Sequence, residues 1–261
     1  GPTIDASDGP IDAIDGPPGD VDGDGVMDAL DNCPDKPNPD QHNEDADAFG
    51  DVCDPCPPDA DNTDGDGDGV GGACDPNPAT GGDALVIFEG FGAGVPAGWE
   101  MNGAWTHVQD DVSIITNAGQ NARLGVALAT TKQTVSTSLT VLATNSTTLT
   151  FAGVVDTKAP ASNSAISCAV FRASAVPDGL AVADTNNLIG AGRATYQMTI
   201  NATYRIEQRR NGTSYDCNAN NMGVAASVQR TLNLANDPFQ VGLFVNAATI
   251  RYQWFMVVTS P

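Results

Sequence analysis

The chain has 261 residues, with 33 acidic against 11 basic side chains and a formal charge of −22, and that charge is confined to one end. Residues 1–83 carry 22 Asp, one Glu and one Lys, a balance of −22, whereas residues 84–261 hold ten acids and ten bases. The asymmetry argues for separate modules, and an acidic face repels phosphate, which excludes nucleic acid as a partner.

Residues 1–19 are Pro, Gly, Ala and Asp with a loose repeat, IDASDGP and IDAIDGP. Low hydrophobicity and one-sign charge predict a disordered spacer. Its style resembles the spacers that follow the lipidated cysteine of exported bacterial lipoproteins, although this chain lacks that cysteine. No secretory signal is seen in this sequence, so for an exported protein the signal has been removed or lies outside it.

Residues 20–80 form the second module. DVDGDGVMDALDNCP, 20–34, carries Asp at positions 1, 3, 5, 9 and 12 of a 12-residue frame (Asp20, Asp22, Asp24, Asp28, Asp31), with Gly25 at position 6. Calcium takes six to eight oxygens, and alternating side-chain ligands plus the carbonyl at position 7, here Val26, wrap one ion. The ion also removes the repulsion among the aspartates. A helix-flanked calcium loop is ruled out because Asn32-Cys33-Pro34 follows directly, and proline stops a helix. GDVCDPC at 50–56 is echoed by GGACDPN at 71–77, and NEDADAFG at 43–50 by DGDGDGVG at 64–71, so the unit repeats. The segment has too few large apolar residues to fold without disulfides or metal. Magnesium fits less well, since it keeps its water.

The pattern D-x-D-x-D-G-x-x-D-x-x-D-N-C-P, then Asn38-Pro39-Asp40-Gln41, then an alternating-Asp run closing on G-D-x-C-D-x-C, resembles thrombospondin type 3 repeats. The resemblance covers about residues 20–78. It implies a chain wound around several calcium ions with almost no apolar core and pinned by disulfides. The ligands it implies are Asp20, Asp22, Asp24, Asp28 and Asp31, then Asn43, Asp45, Asp47, Asp51 and Asp54, then Asp64, Asp66, Asp68 and Asp75. The sequence departs from the pattern at Asn43, Ala48 and Gly72. At three to four carboxylates per ion the supply suits ~4–6 ions. Cys53-Asp-Pro-Cys56 also has the spacing of a redox or zinc pair, but neighbouring carboxylates raise a thiol's pKa and no second such pair or nearby His pair exists. The resemblance implies bonds Cys33–Cys53 and Cys56–Cys74, each worth ~3 kcal/mol by loop entropy. His42 and His107 are isolated and suggest no transition-metal site.

The third module, 81–261, is read as short alternating segments rich in Val, Ile and Thr: ALVIFE (84–89), VSIIT (112–116), TVSTSLTVLA (134–143), TLTFAGVV (148–155), AISCAVFR (165–172), ATYQMTI (194–200), TYRIEQRR (203–210), FQVGLFVNA (239–247) and TIRYQWFMVV (249–258). Turn signals separate them at Gly190-Ala-Gly192, Asn211-Gly212 and Asn220-Asn221. Many strands without helical periodicity predict a mainly β, antiparallel sandwich. Its two ends, 87–108 and 239–258, resemble concanavalin-like, laminin-G-like jelly rolls. Cys168 and Cys217 are expected to bond to each other, because free cysteines are unusual in an exported domain.

That fold hosts lectins and glycosidases alike. A glycosidase needs two facing carboxylates, and no Asp/Glu pair at i, i+2 or i, i+4 occurs after residue 84. Asp110 and Asp111 point to opposite strand faces, Glu207 between Arg205 and Arg209 reads as an ion-paired exposed face, and His107 alone supports no Ser-His-Asp set. The expected protein is therefore a non-catalytic, extracellular or surface-bound calcium protein: a calcium-rigidified stalk presenting a binding or adhesion head to a glycan or surface protein. The alternatives are a self-assembling structural subunit and, with less support, a carbohydrate-active enzyme. Trp99, Trp105, Trp254, Tyr215 and Tyr252 are candidate sugar-stacking rings, and Asn145-Ser-Thr, Asn201-Ala-Thr and Asn211-Gly-Thr fit a glycosylation sequon. No apolar run reaches the ~18 residues of a membrane span.

Overall fold

The computed structural model describes residues 19–128, 130–157, 165–184, 192–232 and 240–261. The spacer therefore lies, Gly19 apart, outside the described residues, as does most of the 190–192 glycine turn. Among the described residues there is no α-helix; a 3-10 turn at Gly72–Cys74 precedes fifteen strands. These are β1 (Ala84–Glu89), β2 (Glu100–Asn102), β3 (Thr106–Val108), β4 (Asp111–Ile115), β5 (Asn121–Ala127), β6 (Lys132–Thr144), β7 (Leu149–Thr157) and β8 (Ala165–Ala173). After them come β9 (Val176–Asp184), β10 (Gly192–Thr195), β11 (Thr203–Asn211), β12 (Ser214–Asn221), β13 (Val224–Thr231), β14 (Gln240–Asn246) and β15 (Ala248–Thr259).

Two antiparallel sheets result, ordered β13-β12-β11-β6-β15-β4-β3, with β1 also on β15, and β10-β9-β8-β7-β14-β5-β2. Alternation along each strand sends one set of side chains inward, among them Leu139, Ile206 and Tyr252 from the first sheet and Leu124, Val154 and Leu243 from the second. Cys168 on β8 is bonded to Cys217 on β12, joining the sheets through this core. The segment ATYQMTI is extended only to Thr195. Beyond it Tyr196 and Met198 turn into the core, and the Thr199 N–H donates to the Tyr204 hydroxyl, so side-chain anchoring replaces a strand ladder.

The acidic segment docks on the sandwich. Its Cys56, Val70 and Cys74 pack on Trp254, Met256 and Val258 of β15, on the outer face of the first sheet. The Arg205 guanidinium lies 5.5 Å above the Trp254 ring and donates to the Ala73 carbonyl at 3.1 Å. Arg209 donates to the Pro76 carbonyl, and Asn77 to the Ser260 hydroxyl. The His42 ring is clasped between Gly90 and Gly92, where a Cβ would fall 2.7 and 2.8 Å from ring atoms. A module with little apolar material of its own thus borrows the sandwich's surface. The ion-paired reading of β11 is corrected: Arg205 and Arg209 turn to the acidic segment, while Glu207 accepts from Asn218.

Candidate metal centres

Alternation of Asp with Gly lets the loops curl with carboxylates inside. Asp20, Asp22 and Asp24 are buried or half-buried while Val21, Gly23 and Gly25 are exposed, and Gly23 and Gly25 adopt φ of 77° and 97°, open to glycine without strain. Each aspartate ties down backbone with one or both oxygens. Asp20 accepts from the N–H of Gly23 and Gly25, Asp22 from Asp24 and Asp24 from Val26, at 2.8–3.2 Å. The same wiring recurs where Asp64 accepts from Gly67 and Gly69.

Three sets of carboxylates converge so that a ligand atom from each member lies within 4.8 Å of the others: Asp20, Asp22 and Asp24; Asp45, Asp47 and Asp54; Asp64, Asp66 and Asp68. Around them, buried oxygens lack a hydrogen-bond partner: Oδ2 of Asp22, Asp31, Asp45, Asp54 and Asp75, Oδ1 of Asn62 and both oxygens of Asp66. Buried acceptors without donors are costly. Burial raises the pKa of Asp22, Asp45 and Asp75 and pushes Asp54 up to about 6, the Cys56 N–H partly opposing it. Asp64 is lowered instead by the Gly69 and Gly67 N–H groups. An all-oxygen set of this kind fits a hard divalent cation, whose charge satisfies the orphaned oxygens and holds the acids ionised.

Other sequence-predicted residues are engaged differently. Oδ1 of Asp28 accepts from Val21, and that of Asn43 from Ala46. Asp51 accepts from the Glu44 N–H with Oδ1 and meets His42 Nδ1 at 2.5 Å with Oδ2. That contact holds the His42 pKa up, at about 9, so His42 is not isolated; burial pushes neighbouring Glu44 to about 7. Gly72 replaces a carboxylate for a steric reason: its φ is +54° and a Cβ would lie 1.7 Å from the Asp61 carbonyl oxygen. Two participants escaped sequence reasoning. Asn62 donates to Asp47 at 2.7 Å; it extends the alternation of 64, 66 and 68 backwards, a signal that was there to be read. Asp83, 3% exposed, accepts from Asn77 and donates its N–H to Asp68. The cysteines pair as Cys33–Cys53 and Cys56–Cys74.

The proposed sugar-stacking rings are structural. Tyr215 and Tyr252 are fully buried, and Trp254 lies beneath the acidic segment. Trp99 packs edge-on against Phe91 and Phe255, and Trp105 lies against Tyr252 and donates to the carbonyls of Asn102 and Arg123. Asp111 pairs with Arg251 at 3.5 Å. Strand pairing also creates a relation that inspection along single strands misses: Glu207 opposite Asn218 and Asp216 opposite Arg209 place two carboxylates diagonally on adjacent strands.

The family model of the thrombospondin type 3 repeat matches residues 17–41. No curated protein matches the chain by sequence. Among solved structures, the acidic lectin of winged bean, complexed with methyl-α-D-galactose, is similar at 8% identity and a TM-score of 0.51, over 69% of this chain and 99% of the lectin. The GH43 protein BlXynB of Bacillus licheniformis is similar at 13% identity and a TM-score of 0.51, over 66% of this chain but 39% of that protein. A GH43 protein of the Bacteroides ovatus xyloglucan locus gives 11% and 0.52, over 66% and 38%. The chain thus spans about two-fifths of those GH43 proteins, and at these identities the likeness concerns the lectin-like sandwich fold alone.

Proposed function

We propose that the protein is an extracellular, non-catalytic calcium-binding protein in which residues 20–80 wrap several calcium ions and residues 81–261 bind carbohydrate. The observation that carries the reading is the convergence of buried, partnerless carboxylate oxygens at the three acidic clusters. Asp20, Asp22, Asp24 and Asp31 with the Val26 carbonyl would hold the first ion, Asp45, Asp47, Asp54 and Asn62 the second, and Asp64, Asp66, Asp68 and Asp75 the third. Calcium rather than magnesium suits such crowded all-protein oxygen sets. Three disulfides suit an oxidising compartment, and no helix among the described residues is long and apolar enough to cross a membrane. The lectin-like sandwich supports the carbohydrate half.

Calorimetric titration of the metal-free chain with calcium is expected to show several sites, and Asp66→Asn to remove or weaken one at least tenfold. Absence of bound alkaline-earth metal at millimolar supply would overturn the calcium half. A glycan array with the calcium-loaded chain tests the other half, and no reproducible sugar binding counts against it. Release of reducing ends from any bound polysaccharide would refute the non-catalytic reading, with Glu207 and Asp216 the pair to substitute first.

A further inference from the structure

The outer face of β11, β12 and β13 carries a polar furrow beside the docked acidic segment. Arg205, Glu207 and Arg209 point outward on β11, and pairing sets them in rows: Arg205 with Asn220 and Ala225, Glu207 with Asn218 and Ser227, Arg209 with Asp216 and Gln229. Rows on one face recur every ~7 Å along the strands. Two cavities occupy consecutive rows, one of about 360 Å³ over the first two and one of about 460 Å³ from the Arg209 row to Lys132 and Arg210. The acidic segment forms a side wall through Ala73, Pro76 and Asn77.

The charge of this furrow runs against that of the molecule. Three of the chain's eleven bases, Arg205, Arg209 and Lys132, lie on it, against two acids, in a protein of net charge −22. The hydrogen bonds of these three bases go to main-chain oxygens: Arg205 to Ala73, Arg209 to Pro76 and Lys132 to Pro261. The bonds to Ala73 and Pro76 leave the positive charges of Arg205 and Arg209 in place, whereas Arg210 turns inward to buried Asp156. The Nε of Arg209 is buried without a partner. Carboxamides that both donate and accept, from Asn218, Asn220 and Gln229, match sugar hydroxyls, and no aromatic ring lines either cavity.

We propose that this furrow binds an extended acidic polysaccharide, with its hydroxyls on the carboxamides and its carboxylate or sulfate groups at Arg209 and Lys132. The inference rests on the carbohydrate-binding reading and gives it a place and a substrate class. The test uses the calcium-loaded full chain with a galacturonate hexamer, a sulfated hexasaccharide and neutral cellohexaose. At least one acidic probe is expected to bind tenfold or more tightly than the neutral one, with affinity falling as salt rises. Ser227→Trp, at an exposed position on β13 remote from the acidic segment's contacts, is expected to cost at least tenfold in affinity without moving the melting temperature. Lys132→Gln should weaken the acidic probes only. Equal affinity for acidic and neutral probes, or acidic binding untouched by Ser227→Trp, overturns the furrow while leaving carbohydrate binding standing. Failure of the unsubstituted chain to bind any saccharide removes the carbohydrate reading itself.

Discussion

At the scale of single residues, Asp156 on β7 shows what burial does to a carboxylate. It is fully buried, accepts from Gln133 Nε2 at 3.1 Å and faces Arg210 and Tyr215 across the two sheets. Its Oδ1, the Gln133 Oε1, both ends of Gln208 and the Tyr215 hydroxyl lack protein partners in this layer next to the Cys168–Cys217 bond. Burial pushes the Asp156 pKa from 3.8 to about 7, with Arg210 and the Gln133 hydrogen bond opposing the rise. A folded-state pKa above the unfolded value means that the native state holds the proton more tightly. Its contribution to stability is therefore complete below 3.8 and is lost as pH rises through about 7. Thermal melts at saturating calcium should show the unsubstituted protein losing several degrees relative to Asp156→Asn between about pH 4 and pH 8. Parallel profiles would mean that Asp156 does not titrate in this window.

At the scale of elements, the acidic loops show how one backbone device is reused. The Asp51 N–H donates to the His42 carbonyl, and the Gly72 N–H to the Thr63 carbonyl, both at 3.0 Å, so the turn persists although the side chain changes. Gly72→Ala meets both a left-handed φ and the Asp61 carbonyl. It is expected to destabilise the 61–75 turn by about 2 kcal/mol or more, read as a lower calcium affinity of the third cluster. Unchanged calcium binding would show that the turn yields easily. The strand pattern was largely legible: ALVIFE coincides with β1, and the bounds of β6, β7, β8, β11, β14 and β15 differ from those of the expected segments by at most two residues at either end. Where it failed, as at Tyr196–Ile200, side-chain anchoring in the core had displaced the ladder that β-propensity alone would favour.

At the scale of the whole molecule, docking couples the two modules. Because Val70, Cys56 and Cys74 cover Trp254, Met256 and Val258, removing calcium should do more than loosen residues 20–80: it should also uncover the outer face of the first sheet. Chelation is expected to red-shift tryptophan fluorescence and lower the melting temperature of the sandwich, and Trp254→Phe to abolish most of the shift. An emission spectrum and sandwich melt indifferent to chelation would show that docking does not need the ions.

Spacing alone determined the acidic repeats, the placing of carboxylates on the inside of their loops and the β class of the rest, because each follows from local periodicity: two residues per strand repeat, and Asp alternating with Gly along the loops. Only the tertiary structure decided which oxygens remain partnerless, that His42 lies between two glycines, that the tryptophans are packing residues, and that Arg205 and Arg209 border a furrow. Those outcomes depend on contacts between Gly90 and His42, Trp254 and Val70, or Asp216 and Gln229. Such partners are distant in the chain or meet only through strand pairing, and no local period encodes them.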